Sequence, residues 1–117
     1  MNRSDVRRGQ IWLVNWSPGR GSEQLGRRPA LVIQTDAANS NPRYPNTIVL
    51  PLSTKGIQVT THVQVKPDSL NGLRGISWVK CEQVLTVSKD RLETRWGTLS
   101  AAHMVKVEAG LRAALAL

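Results

Sequence analysis

Apolar residues come in short runs along most of the chain, and the runs are bounded by glycine, proline or asparagine. Such punctuation predicts strands rather than long helices. The first run, Gly9-Gln10-Ile11-Trp12-Leu13-Val14-Asn15-Trp16, is rich in strand formers. Ile11 and Leu13 point to one side of it, Trp12, Val14 and Trp16 to the other. A strand apolar on both faces is covered twice, by the core and by either a helix or a second copy of the chain. A second strand is expected over 29–34, opening just after Arg28. A third is expected over 47–52, where Pro51 cannot donate to a ladder and so marks a bulge or an edge. Asp36 is placed to cap a helical turn at Ala37-Ala38-Asn39.

Further along, Val59, Thr61, Val63 and Val65 alternate with Thr60, His62, Gln64 and Lys66, the pattern of a half-exposed strand. Residues 75–87 read as one strand or two, and 88–92 as one helical turn. Ser100 predicts the N-cap of a helix reaching Leu115, with Met104, Val107, Leu111 and Leu115 on one stripe. Five or six short strands and one terminal helix predict a mainly β fold, a small antiparallel, barrel-like sheet. At 117 residues the chain is expected to form a single domain over 1–117.

Charge changes this picture. Sixteen Lys and Arg against eight Asp and Glu leave a net charge of +8, which favours a polyanionic partner, most commonly nucleic acid. No apolar run is long enough for a membrane-spanning helix, and the opening segment lacks the apolar stretch of a signal peptide. A cytoplasmic protein with no membrane association is therefore expected. One cysteine, Cys81, cannot form an internal disulfide and reads as an inert core residue. Two histidines argue against a dedicated zinc site, and neither a metal nor a cofactor is expected. Residues 17–27 hold three glycines, Pro18, Arg20, Glu23 and Arg27, a long polar loop of the kind that carries function. Its glycines lack dinucleotide-binding spacing.

Several runs fall in a recognisable order. These are Arg8-Gly9-Gln10-Ile11-Trp12, Gly21-Ser22-Glu23-Gln24 and Arg27-Arg28-Pro29-Ala30-Leu31-Val32-Ile33-Gln34. Ile48-Val49-Leu50-Pro51-Leu52-Ser53-Thr54, Thr61-His62-Val63, Cys81-Glu82-Gln83-Val84 and Lys89-Asp90-Arg91-Leu92 follow. Together they resemble the MazF/PemK family of toxin endoribonucleases over nearly the whole chain. The resemblance implies an SH3-like barrel, a homodimer, a cognate antitoxin and metal-independent cleavage of single-stranded RNA at a short sequence. It also implies attack by the substrate's own 2′-OH, leaving a 2′,3′-cyclic phosphate and a 5′-OH.

Arg28 matches the family's catalytic arginine, and a planar guanidinium suits bidentate contact with a phosphate on which charge builds. The following Pro29 confines Arg28 to extended backbone, which helps to aim the side chain. The family's second position, a threonine, falls on Ser53, with Thr54 next; either Ser53 fills the role or Thr54 shares it. By the same resemblance Gln24 and Gln83 lie near the substrate. Arg20 and Arg27 are expected to hold the RNA backbone, and Glu23 and His62 read as proton-transfer helpers, non-catalytic contacts or structural residues. The general base is unassigned. Trp12, Trp16 and Trp78 read as core or dimer packing, whereas Trp96, beside Arg95, is the candidate exposed aromatic. Two other classes remain open. A non-catalytic nucleic-acid-binding barrel would bind in a salt-sensitive way without cutting. A toxin of the same fold acting on a topoisomerase would need a tryptophan near its C-terminal end, where this chain has Leu111-Arg112-Ala113-Ala114-Leu115-Ala116-Leu117.

Overall fold

The computed structural model describes residues 5–16 and 26–117. Within them the chain folds mainly into antiparallel strands, β1 (Gln10–Asn15), β2 (Arg27–Val32), β3 (Asn46–Ser53), β4 (His62–Val65), β5 (Ser77–Lys80), β6 (Leu85–Ser88) and β7 (Leu92–Thr98). A short helix α1 (Asp36–Asn39) follows β2, a 3-10 turn (Lys89–Arg91) precedes β7, and α2 (Ala101–Leu115) closes the chain. The strand order is β4-β5-β3-β2-β1-β7, with β6 also paired to β3. Among the described residues β4 and β7 do not pair, so the sheet is open rather than a closed barrel. None of these helices is long and apolar enough to cross a membrane.

The two-faced character of β1 is satisfied within one chain. Ile11 packs with Leu31, Leu50, Val79 and Val107, the last from α2. Trp12 and Val14 pack on the other side with Val6, Ala30, Val32, Val49, Val87 and Leu92, and Trp16 leans on that cluster. Fully burying such a branched side chain contributes roughly 1.5–3 kcal/mol, so the sheet is anchored from both sides. Ser100 caps α2 as expected, its hydroxyl accepting from the His103 N–H. Met104, Val107 and Leu111 face the core, but Leu115 is exposed because only that part of the stripe meets the sheet. Gly110 lets the helix approach closely: a Cβ there would lie 2.7 Å from the Cys81 sulfur.

β3 is the axis of the sheet. One edge pairs with β2, and the other pairs first with β6 (Asn46 to Val49) and then with β5 (Leu52 and Ser53). Pro51 falls in the gap between those two partners, the irregularity its missing N–H predicts. Opposite that gap, Glu82–Val84 form an exposed bulge between β5 and β6, after the buried Cys81.

Four expectations are corrected. β2 opens at Arg27, so both arginines belong to the strand. β4 spans only His62–Val65, because the chain before it turns, with His62 N–H donating to the Val59 carbonyl at 3.0 Å and Val59 left exposed. Thr35, not Asp36, is the N-cap of α1; Asp36 instead accepts from the Arg8 N–H at 2.7 Å. β7 has no counterpart in the pattern, since an edge strand bearing Glu93, Thr94 and Arg95 reads as polar.

The segment joining β2 to β3 is held by a buried polar network. Asn39 Oδ1 accepts from Thr47 Oγ1 at 2.8 Å and from Gln34 Nε2 at 3.0 Å. Lys89, almost wholly buried, donates to the Asn39 carbonyl at 2.7 Å, and desolvation pushes its pKa below the ordinary lysine value. Asn39→Ala leaves the fully buried Thr47 hydroxyl without its partner and is expected to cost about 1–3 kcal/mol. Urea unfolding should show this as a lower midpoint at unchanged slope.

Candidate functional site

Two adjacent arginines at the start of β2 have different fates. Arg27 reaches Glu93 on β7 in a two-pronged ion pair, with distances of 2.6 and 3.2 Å. That hydrogen bond, with the attached charge, holds its pKa above the ordinary arginine value. Arg28 alternates to the other side, is exposed, and makes no side-chain hydrogen bond or ion pair among the described residues.

The register decides what stands beside Arg28. β2 and β3 pair as Val32–Val49, Leu31–Leu50 and Ala30–Pro51, and continuing that register beyond the end of the ladder brings Arg28 level with Ser53. Ser53 is in register with Trp78 on β5, and Trp78 with Gln64 on β4. Residues opposite one another share a face. Arg28, Ser53, Trp78 and Gln64 therefore form a row across four strands, at a spacing of about 4.8 Å per strand.

The chain leaving β3 is pinned at successive points. Ser53 Oγ accepts from the Lys55 N–H at 3.1 Å, which engages a lone pair and leaves the hydroxyl proton to donate elsewhere. Gly56 lies flat on the Trp78 ring, where a Cβ would come within 2.2 Å of the ring carbon Cγ. The Ile57 N–H donates to His62 Nδ1 at 3.2 Å. The ring proton then sits on Nε2, which meets Glu82 Oε2 at 2.9 Å. Partial desolvation raises the Glu82 pKa, but the His62 hydrogen bond, the backbone N–H of Glu82 itself and the nearby Lys80 charge outweigh it and hold the carboxyl below its ordinary range. An open cleft of about 360 Å³ adjoins this corner, between Gln58, Thr60, His62 and Gln64 on one side and Lys106 on α2 on the other.

The model of the PemK-like, MazF-like toxins of type II toxin–antitoxin systems matches residues 7–115. The chain belongs to this PemK/MazF-like family. The endoribonuclease MazF of Staphylococcus epidermidis is 35% identical over 115 residues, which cover 96% of this chain and 92% of that protein. A mycobacterial endoribonuclease solved in complex with its cognate antitoxin superposes with a TM-score of 0.77 at 26% identity, over 96% of each chain. MazF of Deinococcus radiodurans gives 0.77 at 24% identity, over 96% of this chain and 97% of that one, and attests the fold alone.

In this PemK/MazF-like chain the residues singled out from the sequence are sorted by position. Arg28 and Ser53 come to one face, and Thr54 follows Ser53, exposed and beyond the strand. Gln83 is exposed on the bulge after β5. His62 starts β4 and has both ring nitrogens engaged. Arg20, Glu23 and Gln24 lie outside the described residues. Trp12 and Trp78 are buried; Trp96 is half-buried against the core and capped by the Arg74 guanidinium 5.4 Å from its ring centre, so it is not an open aromatic. Cys81 is buried, and burial together with the Glu82 charge pushes its pKa up to about 11. Sequence reasoning missed Glu82 as the partner of His62 and Gly56 as the seat of the strand exit. Only the β4–β5 register, which sets His62 opposite Lys80, brings His62 near Glu82.

Two outcomes follow from this geometry. Gly56→Ala forces a methyl into the Trp78 ring and should cost about 1–3 kcal/mol in thermal unfolding. A carboxylate whose folded pKa is depressed adds stability above its unfolded pKa and loses it as pH falls through the folded value. Glu82→Gln should therefore flatten the acid limb of the stability–pH profile, by an amount that shrinks in high salt.

Proposed function

We propose that this chain is a toxin endoribonuclease that cuts single-stranded RNA at a short sequence without metal. What carries the reading is the β2–β3 register, which when continued past Ala30–Pro51 sets the exposed Arg28, without a side-chain partner among the described residues, level with Ser53. Arg28 and Ser53 are assigned to the phosphate, with Thr54 beside them as a second hydroxyl. The 2′-OH attacks the adjacent phosphorus and loses its proton, the P–O5′ bond breaks, and the 5′ oxygen takes up a proton. The products are a 2′,3′-cyclic phosphate and a 5′-OH. Charge accumulates on the nonbridging oxygens, where a fixed guanidinium and a hydroxyl donor lower the barrier. Ser53 is favoured over Thr54 for the family's threonine role because it shares Arg28's face and its hydroxyl proton is left to donate.

RNA contacts are assigned to Arg20, Glu23 and Gln24 in the glycine-rich segment and to Gln83 on the bulge. Arg27 joins them only by giving up Glu93. His62 has no ring donor or acceptor left for a base. The net charge of +8 suits an acidic antitoxin segment that occupies the same surface and so competes with RNA. A homodimer is proposed from the family resemblance, with exposed Val105, Leu115 and Leu117 on and after α2 as apolar surface available to it. The cytoplasm is the proposed location.

The test is incubation of a long mixed RNA with antitoxin-free protein in EDTA, followed by mapping of the ends. Cuts at a recurring short sequence with 5′-OH ends are expected, reduced at least about a hundredfold in Arg28→Ala and reduced in Ser53→Ala. Intact RNA from folded protein would overturn the reading. Salt-sensitive binding without cleavage would then identify a binding barrel, and absence of RNA binding would direct the search to a protein target.

A further inference from the structure

We propose that His62 is a positioning residue for RNA cleavage, a two-ended clasp that fixes the chain leaving β3 and thereby aims the Ser53 hydroxyl. The inference rests on the reading of Ser53 as a donor to the scissile phosphate.

The argument starts from what fixes Ser53. It is the last residue of β3, and beyond it no strand ladder holds the chain until β4. In that stretch Ser53 Oγ is tied to the Lys55 N–H, Gly56 rests on Trp78, and the Ile57 N–H is held by His62 Nδ1. The first of these ties is local and moves with the segment. Trp78 offers only van der Waals contact, which has no preferred hydrogen-bond direction. Thr61, next to β4, accepts from the Cys81 N–H, but between Lys55 and Thr60 the directional bond from a different strand among the described residues is the one to His62. The ring is itself fixed at its far end, because Nε2 donates to Glu82 on the bulge after β5. Only 12% of the His62 side chain is exposed, so the ring is held in place although Ile57 and Glu82 at its two ends meet solvent. The clasp thus ties the exit of the strand bearing Ser53 to the bulge that presents Gln83.

The two ends can be tested separately, because the amide of Asn places an oxygen where Nδ1 stands and the amide of Gln places a nitrogen where Nε2 stands. His62→Asn keeps the acceptor for Ile57 and gives up Glu82. His62→Gln keeps the donor to Glu82 and gives up Ile57. On a short RNA containing the cut site, His62→Ala is expected to lower kcat about ten- to a hundredfold, the scale of a small misplacement of a reacting group. KM should stay within about twofold. His62→Asn should recover most of kcat and His62→Gln should not. Amide exchange of the Ile57 N–H, read without substrate, should be slow in the wild type and His62→Asn and fast in the other two.

A direct contact of His62 with RNA would instead raise KM in all three variants at constant kcat, and that result would overturn the proposal. So would a wild-type kcat in folded His62→Ala, or equal recovery by Asn and Gln. Wild-type protein that leaves RNA intact while the Ile57 amide stays protected would sink the endoribonuclease reading itself, a failure the exchange data separate from that of the clasp. Should His62→Ala not fold, the Asn and Gln pair carries the comparison alone.

Discussion

A proline in the middle of an interior strand is the constraint from which the rest of this architecture follows. Pro51 pairs with Ala30 on β2, and without an N–H that pair has to be of the non-hydrogen-bonded kind. The proline nitrogen then faces the other edge of β3, where no continuous ladder can form. That edge is shared between β6 and β5, and of the residues left over between them Cys81 turns into the core while Glu82, Gln83 and Val84 project outward. One missing hydrogen thus accounts for the break between the β6 and β5 pairings, opposite which Glu82 and Gln83 project.

The second organising element is the separation of charge within a dipeptide. Strand alternation sends Arg27 and Arg28 to opposite faces, and β7 supplies Glu93 to one face only. The first guanidinium stiffens the sheet across β1, while the second is exposed and has no partner among the described residues. An arginine already committed to a carboxylate is a poor ligand for a phosphate, because the ion pair has to be broken first. Placing the two side by side gives the site an exposed cation on a braced strand.

Much of this was legible in the sequence because it depends on nearest neighbours. The period of two in β1 gave both of its faces, Ser100 marked the start of α2, and Pro51 announced an irregular ladder. Failures arose where a distant partner overrides local preference. Val59 and Thr61 alternate like strand residues, yet the chain there turns to lay Gly56 on Trp78 and to reach His62. β7 was hidden because its outward residues answer to solvent and to Arg27, not to a core. Arg28 and Ser53 were readable as individual candidates. Their placement side by side is a property of the β2–β3 register, and the link from His62 to Glu82 is one of the β4–β5 register.

The seat of α2 has one more consequence. The chain's single thiol sits beneath Gly110, and its pKa of about 11 keeps it protonated at neutral pH. Oxidants and electrophiles attack thiolates, and they need access to the sulfur. Disulfide exchange and electrophiles therefore find a poor target in this thiol. The thiol serves instead as packing volume, filling the space that the missing Cβ of Gly110 leaves under α2.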